Sequence, residues 1–158
     1  MSKRVYASSV KINRIDQNEL FAFRLALPEH FRDEIFQFLS SRYDVTKALY
    51  LAHKLKLKER DIDVKDWAKS LGLDGPKDES GTKVSFIAGI SDSDALSPGV
   101  DVKRPVILVY HFWKEKGKEV CGGLIIDGNK RLRRAFLEGL EVIPGYVLPK
   151  WASKMVRL

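Results

Sequence analysis

Apolar positions change period several times along this chain, and each change marks an element. Val5, Ala7, Val10, Ile12 and Ile15 alternate imperfectly, which predicts a strand entering a loop over Val5–Ile15. From Pro28 the period lengthens: Phe31, Ile35, Phe38 and Leu39 fall at helical spacing behind a proline that a first turn tolerates. Asp44 is placed to cap a second helix with Val45, Ala48, Leu49 and Ala52 on one side. A third is expected from about Asp63 to Leu71, with Val64, Trp67, Ala68 and Leu71 inward and Gly72 as its stop. The first half therefore reads as mostly helical.

The second half alternates strands and helices. Asp74–Thr82 is a loop by composition, Val84–Ile90 a strand, and Ser91–Arg104 another loop, a mobile one by its Ser-Asp-Ser-Asp and Ser-Pro-Gly pieces. Pro105–Phe112 and Val120–Ile126 are rich in Val, Ile and aromatic residues, and Lys116-Gly117-Lys118 between them predicts a hairpin. Lys130–Leu140 returns to helical period, and Val142–Leu148 closes with a strand. The expected fold class is α/β (α+β): a small mixed sheet with helices. With no repeat, low-complexity tract or long linker, one domain is expected over residues 1–158, a length that can bury a substantial core.

Composition narrows the setting. The longest apolar stretch, Val106–Trp113, is interrupted by His111 and is too short to span a bilayer, and no apolar run follows the basic N-terminus. No membrane insertion and a cytoplasmic location are expected. Cys121 is the only cysteine, expected as a buried inert thiol, and His30, His53 and His111 are scattered. No structural metal is expected. The net charge of +7 favours polyanionic partners without choosing among them.

Chemistry concentrates in the run from Leu124 to Gly139. At about 100° per residue, Leu132, Ala135, Phe136 and Gly139 cluster on one side of the helix, Lys130, Arg133 and Arg134 lie opposite, and Arg131 sits at the border. The apolar side is expected to dock on the sheet and the basic side to face out. Gly128 permits a sharp turn and close approach of a ligand to the backbone. The helix after it starts with unpaired N–H groups and the positive end of its dipole, beside Lys130, Arg131, Arg133 and Arg134. An anion fits there, with Arg131 suited to a bidentate phosphate contact and Lys130 to a mobile point charge. A purely structural reading accounts for the same residues: Asp127 or Asn129 caps the helix, Gly128 makes the turn, and the basic face is solvated surface.

The run Ile-Ile-Asp-Gly-Asn-Lys-Arg-Leu-Arg-Arg-Ala, followed by Glu-Gly-Leu and Val-Ile-Pro-Gly-Tyr-Val-Leu, resembles the signature of the ParB/sulfiredoxin superfamily. Arg104-Pro105-Val106-Ile107-Leu108-Val109 resembles that family's Pro-Ile/Val strand, so the likeness covers about residues 104–148. It implies a small α/β fold that binds nucleotide phosphates at the turn and helix start. Gly128, Arg131, Arg133 and Ala135 match the partition proteins' Gly-Glu-Arg-Arg-x-Arg-Ala-Ala box, whereas Asn129 replaces its Glu, Lys130 its first Arg and Arg134 an Ala. Sulfiredoxins carry Gly-Cys-His-Arg here. Asn129 stands at the position of their catalytic cysteine and Cys121 lies eight residues upstream, which argues against sulfinic acid reduction. A full partition protein, with DNA-binding and dimerisation regions as well, is not expected from the 158 residues. Small stand-alone relatives, the Osa-like plasmid fertility inhibitors of the oncogenic suppression type, are associated with ATPase and DNase activity against transferred DNA.

Gly75 and Gly81-Thr82-Lys83 fail the P-loop pattern in spacing and in the order of the final pair, and Gly75-Pro76 would fall inside the recognition helix of a helix-turn-helix begun at Val64. Asp92 and Asp94 are candidate magnesium ligands or ordinary loop residues. Lys54, Lys56, Lys58, Arg60, Lys65 and Lys69, and separately Lys150, Trp151, Lys154 and Arg157, are candidate nucleic-acid contacts or solvated faces.

Two functions are expected from these residues. In the first, ATP or a related nucleotide binds at Gly128, Asn129, Lys130, Arg131, Arg133 and Arg134, and water attacks a phosphate with Mg2+ assistance. Asp127, Lys130 and Arg131 are then the catalytic candidates, and DNA cleavage by the same surface in plasmid conjugation is included. In the second, the cradle is kept without catalysis, as a nucleotide- or DNA-binding module that inhibits or recruits a DNA-transfer or secretion machine. A small-molecule phosphotransferase is a third reading.

Overall fold

The computed structural model describes residues 11–70 and 92–158, and the architecture is mixed α/β. The described residues fall into two compact units whose segments interleave along the chain. One takes in the described residues of Met1–Leu57 with Leu108–Leu124 and Val147–Leu158, the other those of Lys58–Ile107 with Ile125–Tyr146.

The first unit opens with α1, Gln17–Ala26, which the patterning did not predict. Asp16 caps it by accepting from the N–H groups of Asn18 (2.9 Å) and Glu19 (3.2 Å), and the helix ends at Leu27, whose successor Pro28 disfavours helical backbone. The helix expected behind Pro28 is instead a short 3-10 turn, Glu29–Phe31, followed by an antiparallel hairpin of β1, Ile35–Phe38, and β2, Ser41–Asp44. Ile-Phe-Gln-Phe is too short for a packed helix and rich in strand-forming side chains. Ser41–Asp44 supplies its ladder partner, so pairing overrides the 3-and-4 spacing.

Asp44 starts α2, Val45–Lys54, as expected: its carboxylate accepts from the Lys47 N–H at 2.9 Å. It also takes the Arg24 guanidinium at 2.6 Å. Val45, Ala48, Leu51 and Ala52 are buried, while Leu49 is only half-buried. Packed with α2 are α1 and a C-terminal helix, α6, Lys150–Val156, that the patterning left as a basic tail. The inward residues of α6 are Ala152, Ser153 and Val156, and the Ser153 hydroxyl donates to the Pro149 carbonyl at 3.0 Å and accepts from the Tyr110 N–H at 2.9 Å.

The second unit contains β3, Arg60–Asp63, and α3, Val64–Ser70. Asp63 caps α3 through the Asp66 N–H at 2.8 Å, and Val64 and Ala68 are its buried face, with Trp67 half-buried. Strand β3 went unpredicted because a single Ile62 between charged residues shows no alternation. It pairs antiparallel with β6, Val142–Val147, from Arg60↔Gly145 to Asp63↔Val142. The segment read as a loop from Ser91 contains one short helix, α4, Asp92–Ala95, anchored by fully buried Ala95. The end of the third helix at Leu71–Gly72, the Asp74–Thr82 loop and the Val84–Ile90 strand lie outside the described residues, as do positions 5–10 of the first expected strand. Lys11–Ile15 carries no strand.

Strands β4, Val106–Glu115, and β5, Lys118–Asp127, are joined by the expected hairpin, in which Lys116 (φ 49°) and Gly117 (φ 77°) both adopt the positive φ of a two-residue turn. The four-stranded sheet has the order β3-β6-β4-β5. Val106 to Val109 and Leu124 to Ile126 are buried. Among the described residues no helix is long and apolar enough to cross a membrane.

Two predictions follow from the first unit. Asp44→Ala removes both a helix cap and an ion-pair partner and lowers stability by about 1–3 kcal/mol in urea unfolding, whereas Asp44→Asn, which keeps a capping oxygen, loses less. Burial, and then the hydrogen bond of 2.7 Å that its hydroxyl donates to Glu19, push Tyr50 up to about 12 from 10.0. The native state thus keeps a proton that the unfolded state releases. Stability from this group is full below pH 10.0 and is lost as pH rises toward about 12. The difference in urea midpoint between the native chain and Tyr50→Phe should shrink through that window.

Candidate functional site

The turn between β5 and α5, Asn129–Leu137, lies wholly within the second unit. Leu132 and Ala135 of α5 are completely buried and Phe136 is half-buried, so the apolar side is turned inward as expected, and the elements found packed with α5 are the helices α3 and α4. The helix ends three residues earlier than its periodicity suggests. Gly139 sits at φ 71° beyond it, and the N–H groups of Gly139 and Leu140 close back on the carbonyls of Phe136 (3.2 Å) and Ala135 (2.9 Å).

Gly128 is the N-cap, at φ 101° and ψ 20°. A side chain there would be strained, and its Cβ would stand 2.5 Å from Val106 Cγ1 and 3.1 Å from Arg131 Cζ. Its carbonyl accepts the first helical hydrogen bond, from Leu132 N–H at 2.9 Å. Among the described residues no side chain caps this helix, so the capping roles open to Asp127 and Asn129 are filled by neither. The N–H groups of the first turn, at Asn129, Lys130 and Arg131, begin the helix without that side-chain acceptor.

Asp127 instead pairs with Arg131, Oδ2 to Nη2 at 3.0 Å, and Arg131 is only 7% exposed. Its Nη1 donates to the carbonyls of Arg104 (2.9 Å) and Pro105. The expectation that the basic side faces out is therefore corrected for the arginines. Arg133 Nε reaches Asp92 Oδ1 at 2.8 Å, and Arg134 joins Glu138 at 2.9 Å while Nη1 donates to the carbonyls of Ser97 and Val100, both at 2.9 Å. Helical periodicity placed these side chains away from the apolar face. It could not reveal that α4 and the residues after it supply acceptors to them. Lys130 alone of the four cations is exposed, and among the described residues it has no ion pair.

Asn129 donates through Nδ2 to the Ile125 carbonyl at 3.0 Å, leaving Oδ1 buried without a protein donor among the described residues. Asp92 is held by Arg133, and Asp94 also has a partner. Among the described residues no group of three or more His, Cys, Asp or Glu side chains converges. The two basic stretches are partly engaged: Lys54 pairs with Glu19 at 2.7 Å and Lys154 with Glu119 at 3.0 Å. Trp151 is half-buried, with its indole N–H enclosed and lacking an acceptor among the described residues. Cys121 is half-buried rather than buried.

Comparison with protein-family models, curated proteins and solved structures gave no match. The resemblance to the ParB/sulfiredoxin superfamily accordingly stands on the motif residues of 104–148.

Removing the Arg131 guanidinium would strand a largely buried carboxylate and two carbonyls. Arg131→Ala should cost about 3–5 kcal/mol in urea unfolding, and Lys130→Ala less than about 0.5 kcal/mol. An Arg131→Ala protein as stable as the native chain would disprove the structural role assigned to this side chain.

Proposed function

We propose that this chain is a nucleotide-phosphate-binding protein of ParB/sulfiredoxin type, with the phosphate held at the start of α5. The observation that carries the reading is the uncapped first turn of α5 at Gly128, with exposed Lys130 beside it. Backbone N–H groups and the positive end of the helix dipole favour an anion there, and a flexible ammonium can follow its oxygens. Arg131 enters this reading as a positioning residue: its bonds to Asp127, Arg104 and Pro105 hold the turn open to a ligand from beneath. Arg133 and Arg134 support the helix and the segment around α4 in the same manner.

Binding of this kind serves the expected activity, hydrolysis of ATP or a related nucleotide with Mg2+, in which water attacks the terminal phosphate and Lys130 stabilises charge developing on its oxygens. DNA cleavage at the same turn, in inhibition of plasmid DNA transfer, extends that reading. A specific observation favours the second reading, a module that binds without catalysis and inhibits or recruits a DNA-transfer or secretion machine. Asp127, the nearest carboxylate, is committed to Arg131 and so is poorly placed to activate water.

Because Arg131→Ala is expected to unfold the turn, Lys130 is the informative position. Equilibrium dialysis of ATP should show roughly tenfold weaker binding for Lys130→Ala than for the native chain, and weaker still for Lys130→Glu. Phosphate release and plasmid nicking with and without Mg2+ separate the readings: activity that falls with Lys130 supports the hydrolase, binding without turnover supports the module. Equal binding by all three proteins, or none by the native chain, rejects the site.

A further inference from the structure

The first unit carries an aromatic cluster that the phosphate reading does not use. His111 and Trp113 lie two residues apart on β4, so they share a face of the sheet. Their rings stack at 5.8 Å between centroids with 22° between planes, and Phe38 of β1 meets His111 edge-on at 5.2 Å and 85°. The imidazole is held in place by a 2.5 Å hydrogen bond shared between Nδ1 and the hydroxyl of fully buried Tyr43. Gly122 of β5 lies at the rim of the indole, where an added Cβ would stand 3.4 Å from Trp113 Cη2 and 3.5 Å from Cζ3. Despite these supports Trp113 remains 43% exposed.

An ordered aromatic that leaves nearly half its surface in water has room for a flat partner, and the surrounding charge selects its class. The hairpin beyond Trp113 reads Lys114-Glu115-Lys116-Gly117-Lys118, three exposed lysines against one glutamate. Among the described residues those lysines have no ion pair. Arg157, also exposed, donates to the Phe112 carbonyl (2.8 Å) and the Ser41 hydroxyl (2.7 Å), which fixes its guanidinium beside the cluster, and among the described residues it has no ion pair. Burial, and then the Arg157 charge, hold His111 below the usual histidine range, so at neutral pH it is an uncharged ring. A protein partner would need apolar or acidic complementarity. A strand of unpaired bases supplies π-faces and phosphates together.

We propose that Trp113, His111 and Phe38, with Lys116, Lys118 and Arg157 at their edge, form a stacking platform for single-stranded nucleic acid. An unpaired base stacks on the indole while flanking phosphates lie along the hairpin lysines and Arg157. A duplex, whose bases are already stacked and paired, gains only the phosphate contacts. The site is independent of the α5 turn and of whether nucleotide binds there.

Fluorescence anisotropy with labelled oligothymidylate and oligouridylate of about a dozen nucleotides, and with a duplex of the same length, tests it. The single strands should bind more tightly than the duplex, and indole emission should be quenched on binding. Trp113→Ala should weaken single-strand binding roughly tenfold, and Trp113→Phe should restore most of it. Lys116→Glu with Lys118→Glu should flatten the salt dependence by roughly one unit of log–log slope or more. Circular dichroism and urea unfolding establish that each variant is folded, and Trp113→Ala should bind ATP like the native chain, which separates this site from the α5 turn. A folded Trp113→Ala protein with native affinity, equal binding of duplex and single strand, or self-association at Trp113 in place of oligonucleotide binding overturns the proposal.

Discussion

A guanidinium taken out of water must find acceptors, and the position of Arg131 is decided by where three of them converge. The carboxylate of Asp127 ends β5, and the carbonyls of Arg104 and Pro105 lead into β4. By bonding to all of them, one side chain on α5 ties the helix to the end of one strand and the entry of another. Burial makes the arrangement rigid: an unpaired charge in that place would cost several kcal/mol, so alternative placements of the turn are disfavoured. The rest of the local geometry follows. Gly128 has to be a glycine because the space its side chain would need is already taken by Val106 and by the Arg131 guanidinium itself.

The same economy governs the neighbouring cations. Arg133 and Arg134 spend their donors on Asp92, Glu138 and the carbonyls of Ser97 and Val100, which binds α4 and the residues after it to α5. A planar guanidinium with five donors is well suited to gathering several acceptors, whereas an ammonium on a flexible stem is suited to following a ligand. The sequence uses each accordingly, with arginine at the inward positions and lysine at 130. Any anion at this turn is therefore met chiefly by backbone N–H groups and one mobile charge, a softer grip than four converging cations would give.

The mixed α/β class and the β4–β5–α5–β6 order were legible because buried strands announce themselves as runs of Val, Ile and Leu, and because Lys116-Gly117 is a two-residue turn by composition. Asp44 was legible as a cap. Elements whose stability comes from partners distant in sequence were not: β1 needs β2, β3 needs β6, and α6 rests on Ser153 and Ala152 packed in the first unit. The turn at Gly128 could be picked out from glycine, helix periodicity and cation density. The direction in which its arginines reach depends on acceptors at residues 92–105, which periodicity does not encode. Trp113 and His111 were hidden for the opposite reason. Richness in Val, Ile and aromatic residues placed His111 in a strand expected to end at Phe112, and only the position of Phe38, Tyr43 and Gly122 turns the end of the longer strand, with Trp113, into a supported aromatic face.

Net charge is consequently a poor map of where a polyanion would go. Of the 28 basic residues, Arg24, Lys54, Arg131, Arg133, Arg134 and Lys154 are each neutralised locally by a carboxylate within 3.0 Å. Their fields cancel over a short distance and contribute little to attracting a ligand in salt. Lys130 and the hairpin lysines have no such counter-charge among the described residues, so their fields are not cancelled in this way. These lie where other features suit an anion, one beside an uncapped helix start and the others beside a stacked indole. A basic composition becomes informative only after the internal pairs have been subtracted.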